Sequence, residues 1–478
     1  MTPAFPGTGT SDSPRFPAPP AAATVIAEVL RTAGLPDARV LQATLTGAEP
    51  VVPSSFAVGT AAQAGIAAAA LAASAVGRQR GQPPQRIAVD MRHAAVECIG
   101  WFSIDGTVPP LWDAFSGLYR AADGWVRVHA NFAHHREGAL RLLGLDPATA
   151  ARADAERAMQ SWCAVDFEQA AADAGLVATA LRSFAEWNAT PQARAIAAQP
   201  LFSIRRIGDA PPRALPPLPA GARPLHGIRV LDLTRILAGP VGGRALAAYG
   251  ADVMLVNAPH LPNIDAIADT SRGKRSAHVD LRAEAGRATL SRLAGEAHVF
   301  LQGYRPGGLE ARGFGPEALA TTRPGIVYVS LTAYGTQGPW AGRRGFDSLV
   351  QTATGFNHAE AEAAGSATPQ ALPMQILDQA TGYLMAMGAS AALVRQQEEG
   401  GSWHVEVSLA QTGHWLRGLG RVPGGLAQAM PDAAPYLDTV PSGFGALAAV
   451  RHSARFAVTP AGWDRPSVPP GTDAARWD

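Results

Sequence analysis

The sequence predicts an α/β protein, a doubly wound parallel sheet accompanied by a smaller α+β domain, and three observations carry that expectation. From Gly227 onward, short strand-like runs alternate with helix-length segments: GIRVLDLTR, PVGGRALAAYG, ADVMLVNAP, a helix over 283–295, HVFLQGY, a short helix near 315–322, and GIVYVSLTAYG. Strand and helix in alternation is the pattern of parallel strands joined by crossover helices. The chain has 478 residues, more than one compact core usually holds, so two or three domains are expected. Residues 101–190 break the alternation: YRAADGWVRVHANFAHHREGALRLLGL reads as strand, turn, strand and helix, and DFEQAAADAGLVATALRSFAEW as an amphipathic helix.

Taken in order, residues 1–23 form a Pro-rich lead-in expected to be disordered, with no apolar targeting segment, so the chain is expected to be unexported. Residues 24–47 read as helical. The Ala-rich run over 61–77 is shorter than the roughly 20 residues of a spanning helix, which favours a close-packed soluble helix. IAVDM follows as a short strand. This helix, turn and strand recur later, where 382–410 matches 65–94 in pattern, so residues 24–100 read as a degenerate copy of part of the large domain. Superposing Gly65 on Gly382 places Ala61 where the second copy has Asp378. Residues 101–199 are the small α+β domain. Its His129, His134 and His135 read as surface histidines, because no carboxylate or Cys completes a ligand set at helical spacing. A short strand and a Pro-rich linker occupy 200–225, the catalytic domain 226–418, and a wrapping segment with one strand at ARFAVTP occupies 419–478.

Composition narrows the function. Forty Lys and Arg against 39 Asp and Glu give a formal charge of +1, and no basic block occurs, so nucleic acid and membrane are not expected partners. Two cysteines, Cys98 and Cys163, exclude a disulfide framework and fit a cytoplasmic location. No GxGxxG follows the first strand and no Walker A sequence occurs, so dinucleotide and nucleotide triphosphate binding in their usual modes are unsupported. In a doubly wound sheet the ligand sits at the carboxyl ends of the strands, which makes RILAGP, NAPH, GYRPGG and AYGTQGP the candidate rim. Asp378, in LPMQILDQATG ahead of a long apolar helix, is the candidate catalytic group. A carboxylate there is equally an ordinary N-cap.

With GIRVLDLTRILAGP, GADVMLV, RGKRSAHVDL, GYRPGGLEARGFG, GIVYVSLTAYGTQGPWAGRRGFDSLVQTATG and LDQATGYLMAMGASAALVRQQEEGGSWHVEVSL in one order, residues 227–418 resemble the class III CoA-transferases. This CaiB/BaiF family includes formyl-CoA and carnitine CoA-transferases and α-methylacyl-CoA racemases. The resemblance implies a Rossmann-like large domain, a small domain, coenzyme A as substrate and product thioester without a metal, and often an interlocked homodimer. In the family the small domain follows the large one, whereas here it comes first. A fused or permuted arrangement accounts for that, and a homodimer and a single-chain equivalent of the family dimer both remain open.

The same resemblance assigns roles. Asp378 holds the family's catalytic position, implying attack on an acyl-CoA thioester, a mixed anhydride with release of CoA thiolate, and an aspartyl-CoA thioester after exchange with an acceptor acid. A helix start supplies oxyanion donors and is expected to lower the pKa of the aspartate. Arg235, Ala238, Arg282, Gly303, Tyr304, Arg305, Arg312, Arg344 and Phe346 are the candidate CoA-binding residues, the arginines as phosphate partners. Lys274 and Arg275 form a basic turn able either to serve CoA or to cap a strand. Where many relatives carry Glu-Arg, this chain has Asn257 and Ala258. The racemase histidine position is Phe346, and losing that base favours a CoA transferase over the alternatives, an acyl-CoA racemase and a CoA-binding pseudoenzyme. His358 reads as a loop histidine. Loops such as 355–372 are expected to set the acyl and acceptor acids.

Overall fold

A computed structural model describes residues 19–477. Of the Pro-rich lead-in, residues 1–18 lie outside the described residues. Seven strands form the central sheet: β1 (Phe202–Gly208), β2 (Arg229–Leu233), β3 (Asp252–Asn257), β4 (Lys274–His278), β5 (Val299–Gln302), β6 (Val327–Thr332) and β7 (Ser402–Ser408). Their order is β4-β3-β2-β5-β6-β7-β1, and every neighbouring pair is parallel except β7 with β1. The α/β expectation therefore holds, with β1 as an antiparallel edge. The chain runs outward from β2 through β3 to β4, then returns to the other side of β2 for β5 and β6, so the winding reverses between β2 and β5. Such a reversal opens a crevice at the carboxyl ends of the two strands.

Both faces of the sheet are buried, as in parallel sheets generally. Val230, Val253, Val299, Leu301, Val327 and Val329 face one core together with helices α1 (Val58–Gln79), α2 (Ala238–Ala248) and α4 (Ile376–Glu399). The alternate residues Leu231, Met254, Phe300 and Tyr328 face a second core with Leu290 and Leu293 of the Glu284–Glu296 helix and with Trp477. A third core, around Tyr119, Val126, Met159 and Phe167, belongs to the small unit and its three-stranded sheet. Helix α3 (Asp347–Thr354) leads into that unit's neighbourhood through Arg182, whose backbone N–H donates to Thr352 O at 3.3 Å.

Helix α1 is long and apolar enough by composition to cross a membrane, yet its whole apolar window is buried within the protein. Alanine and glycine let it lie close against α4: a Cβ on Gly65 would stand 3.4 Å from Tyr383 Cβ. Ala61, opposite in sequence pattern to Asp378, is fully buried in this contact layer.

Local readings differ from the structure where turn residues or charge pairs intervene. The 24–47 segment is a helix only over Ala22–Thr32, followed by a 3-10 turn and the strand Ala43–Thr46. Gly34, with φ +76°, and Pro36 stop the helix. The basic turn at Lys274 and Arg275 begins strand β4. Lys274 is fully buried, its Nζ 2.8 Å from Asp232 Oδ2 and donating to Pro240 O, while Arg275 pairs with Asp252 at 2.6 Å. Two cations that suggest a solvated loop thus serve as neutralised sheet residues. His358 lies on the Phe356–Ala364 helix, 3.2 Å from Glu362, and not in a loop.

The tail contributes a hairpin, Leu437–Ser442 with Gly445–Val450, which extends the strand Phe102–Ile104. Of ARFAVTP, Arg455–Phe456 pairs with Ile87–Ala88. Between the hairpin and this short strand, His452 and Ser453 reach Glu97. The buried Glu97 carboxylate accepts from Tyr383 OH at 2.7 Å and Ser453 N–H at 2.7 Å, and lies 2.8 Å from His452 Nδ1. Burial alone would raise its pKa, but His452, Arg244 and Tyr383 together hold it well below the usual carboxylate range.

Candidate active site

A cavity of about 420 Å³ opens at the reversal between β2 and β5. The loop after β2 supplies Arg235, Ile236, Leu237 and Ala238; the loop after β5 supplies Gly303, Tyr304, Arg305 and Pro306. Ala333 follows β6, Arg343, Arg344 and Phe346 precede α3, and the small unit adds Phe132, His134 and His135. Asp378, on α4, completes the lining. Of the rim proposed from sequence, RILAGP and GYRPGG line this cavity directly, and AYGTQGP contributes Ala333.

Asp378 is the third residue of α4, and the capping position is Gln375, which makes no side-chain cap bond. The carboxylate is therefore not an N-cap. Its position depends on a close helix crossing: a Cβ on Gly382 would stand 2.4 Å from Ala238 O, and one on Gly242 2.9 Å from Gly382 O. Glycine at both places lets α2 and α4 touch backbone to backbone, bringing the first turn of α4 beside the start of α2. The opening turns of α2, α3 and α4 all border the cavity, at Ala238, Phe346 and Asp378. The positive dipole ends of three helices thus border the cavity that holds this carboxyl group.

A second carboxylate lies underneath. Asp347 is fully buried at the start of α3; its Oδ2 accepts from the Asp378 backbone N–H at 2.9 Å and its Oδ1 from Gln351 Nε2 at 2.5 Å. Asp378 itself is only 8% exposed. Burial pushes the Asp378 carboxyl well up from the ordinary aspartate range, and the charge of Asp347 pushes it further. Asp347 is raised as well, by burial, against the hydrogen bonds from the Asp378 backbone and Gln351. The lowered pKa expected from the helix start is overturned here, because desolvation and a like charge outweigh the dipole. Two such groups titrate as a pair, holding a proton between them at neutral pH.

The remaining candidates divide cleanly. Arg235 donates to Pro262 O, lies 5.7 Å from the centre of the Phe132 ring, and has a buried Nε without a partner. Arg344 Nη1 is 3.0 Å from His135 Nε2, and Arg305 is exposed at the rim. Ala238, Gly303, Tyr304 and Phe346 line the same cavity. Arg282 does not: it is an exposed partner of Asp280 at 2.7 Å. Arg312 donates to Gly308 O at 2.9 Å and lines no part of the cavity. Arg343, absent from the sequence candidates, does line it, held over Trp340 at 4.3 Å and donating to Gln169 Oε1 at 2.7 Å. Its adjacency to Arg344 in GRRGFD was the available signal.

His129 and His135 are buried rather than on the surface, 4% and 5% exposed, while His134 is exposed. The small unit docks its 128–135 segment on the loop before α3, so that His129 stacks on Phe346 with ring centres 4.0 Å apart. Burial lowers His129 to about 4 and His135 to about 3, leaving both imidazoles neutral. A second cavity of about 520 Å³ shares Ile236, Leu237, Phe346 and Asp378 with the first and includes His129. Ile236, between them, has φ +76°, a left-handed conformation that strains a β-branched residue by about 1–3 kcal/mol. Residues 355–372 line neither cavity. Asn257 is 2% exposed with both side-chain amide atoms unpartnered, and it also lies outside both linings.

Residues 225–421, which carry strands β2 to β7 of this sheet and most of the cavity lining, match the model of CoA-transferase family III. Among named relatives it is 37% identical over 202 residues to "Probable fatty acyl-CoA transferase Rv3272" of Mycobacterium tuberculosis, covering 39% of this chain and 51% of that protein. It is 33% identical over 258 residues to "Succinate--glutarate CoA-transferase" of Agrobacterium fabrum, covering 48% and 64%. A crystal structure of Rv3272 aligns at 36% identity over 41% of this chain and 57% of that chain, with a TM-score of 0.38. The chain spans less than two thirds of the length of each of these relatives.

Proposed function

We propose that this protein moves CoA between carboxylic acids, with Asp378 as the nucleophile. The observation that carries this reading is the carboxylate itself, buried where three helix starts converge and set between an arginine-bearing cavity and a second, less charged one. The names of relatives, which speak of acyl-CoA and of succinate–glutarate transfer, support the same general activity.

The chemistry follows from that placement. Asp347, whose two oxygens accept from the Asp378 N–H and from Gln351, holds the charge of the pair, so Asp378 attacks once it has given its proton up to solvent, in a partly dry site where a carboxylate is a stronger nucleophile. Its oxygen attacks the thioester carbonyl, and helix-start N–H groups receive the oxyanion. The C–S bond breaks, giving an aspartyl–acyl anhydride and CoA thiolate. The thiolate then attacks the aspartyl carbonyl, releasing the donor carboxylate and forming aspartyl-CoA. An acceptor carboxylate attacks this thioester, freeing the thiolate again, and the thiolate takes the new acyl group and restores Asp378. Arg235, Arg305, Arg343 and Arg344 hold the CoA phosphates in the first cavity. Phe132 and His135 of the same chain border that cavity, which supports one chain supplying both parts of a site.

Trapping is the test. Incubation with an acyl-CoA and hydroxylamine should place a hydroxamate on Asp378, read by peptide mass. Asp378→Ala should reduce transfer to background, and wild-type transfer by that variant would sink the proposal. A second reading, an acyl-CoA racemase or isomerase, draws on His129 and Asp378 lining one cavity as two acid–base groups. Deuterium wash-in at the α-carbon without a hydroxamate would favour it, and a protein that binds CoA but does neither would be a pseudoenzyme.

A further inference from the structure

We infer that the acyl group handled at this site is uncharged and mainly apolar, that it occupies the second cavity, and that α,ω-dicarboxylic acyl groups are disfavoured there. The inference rests on the CoA-transfer reading and names its substrate class. A cavity of about 520 Å³ is of ligand size, and Asp378 stands in its wall. Ile99, Phe102, Leu111, Trp112, Ile264 and Met374 are among its apolar lining residues.

The charges decide between acyl classes. Among the described residues no Lys or Arg lines this cavity, whereas four arginines line the first. Its charged side chains are carboxylates: Asp113, Asp265 and Asp378. Asp113 is paired with Arg136 at 2.8 Å, outside the lining. The nearby Arg127 lies 5.0 Å from the centre of the Trp112 ring and is likewise outside it. A distal carboxylate on the acyl chain would meet no direct cation here and would face carboxylates, which is unfavourable on both grounds.

Neutral polar groups are present instead. Gln379 is 2% exposed, and its Oε1 has no partner; His129 Nδ1 is likewise unpartnered and its ring neutral. Both line the cavity, so a hydroxyl on an otherwise apolar acyl group would find an acceptor. The division is then consistent: polyanionic CoA on the arginine side, the uncharged acyl group on the other, and the reacting carbonyl at Asp378 between them.

The test separates this inference from the reading beneath it. Hexanoyl-, phenylacetyl-, succinyl- and glutaryl-CoA are compared twice: by hydroxamate formation on Asp378 in the wild type, and by calorimetric binding to Asp378→Asn, which cannot react. Hexanoyl- and phenylacetyl-CoA should bind at least about ten-fold more tightly than the dicarboxylic pair, a modest expectation for a charge that meets no cation. Leu111→Arg, at the cavity's edge, should shift that ratio toward succinyl- and glutaryl-CoA. Equal or tighter dicarboxylic binding by the Asp378→Asn protein overturns the inference, as does a Leu111→Arg ratio that does not move. Tighter apolar binding with no hydroxamate from any thioester keeps the inference and removes the CoA-transfer mechanism.

Discussion

At the scale of single residues, Asp378 and Asp347 tie reactivity to stability. Both carboxyls have folded-state pKa values above the ordinary aspartate value of about 3.9, so the native protein keeps a proton that the unfolded chain gives up. Their contribution to stability is therefore greatest below about pH 4 and declines as pH rises through the folded pKa. Asp378→Asn cannot ionise, so the variant should gain on the wild type between pH 4.5 and 7.5, by about 1–3 kcal/mol. Urea midpoints at the two pH values check this; an advantage that shrinks with pH would contradict it. The identity of Asp378 was legible in the sequence because a family pattern marks it. Its companion was not, because Asp347 of GRRGFD and Asp378 of LDQATG lie 31 positions apart and are joined only in the fold, by backbone N–H groups that donate to Asp347. The histidines were misread for a related reason: no pattern within 129–135 shows that Phe346 will cover His129.

At the scale of elements, the crossing of α2 and α4 sets where the carboxylate stands. Gly382→Val would press its side chain into Ala238 O and Val241, and overpacking of this kind costs about 1–3 kcal/mol, more where backbone must move. The variant should unfold at lower urea and, because the clash falls one turn below Asp378, lose more than ten-fold in transfer, a misplacement effect of ordinary size. Retained transfer with lowered stability would show that the crossing supports the fold alone. The alternation of strands and helices was readable from 227 onward because both faces of the sheet are buried and strands β2, β3, β5 and β6 are mostly apolar. Strand β4 escaped notice: Lys274 and Arg275 suggest solvent, and only the buried Asp232 and half-buried Asp252 on strands β2 and β3 explain why they can sit in a sheet. The similarity between α1 and α4 was likewise visible, while their mutual packing needed coordinates, since Ala-rich helices look alike whatever they touch.

Across the whole molecule, the Glu97 network joins segments that the sequence separates. Glu97→Ala would leave His452, Tyr383 and the Ser453 N–H without their shared acceptor, and breaking a buried charged network of this kind costs about 3–5 kcal/mol. Glu97→Gln, which keeps an acceptor, should recover part of the loss in urea denaturation; an alanine variant as stable as the wild type would remove the network from the account of the fold. None of this was legible in the sequence, where the tail read as Gly- and Pro-rich wrapping and Glu97 as one residue of a short helix.

That same contact sets an order of events during synthesis. Glu97 and His452 are 355 residues apart, and at about 5–20 residues per second the ribosome needs roughly 20–70 s to travel between them. For that interval the first quarter of the chain carries a carboxylate whose partner does not yet exist, beside the apolar surface of α1 that awaits α4. The pairing of α1 with α4 therefore follows the synthesis of strands β1 to β6, and until then the apolar face of α1 is without its native cover.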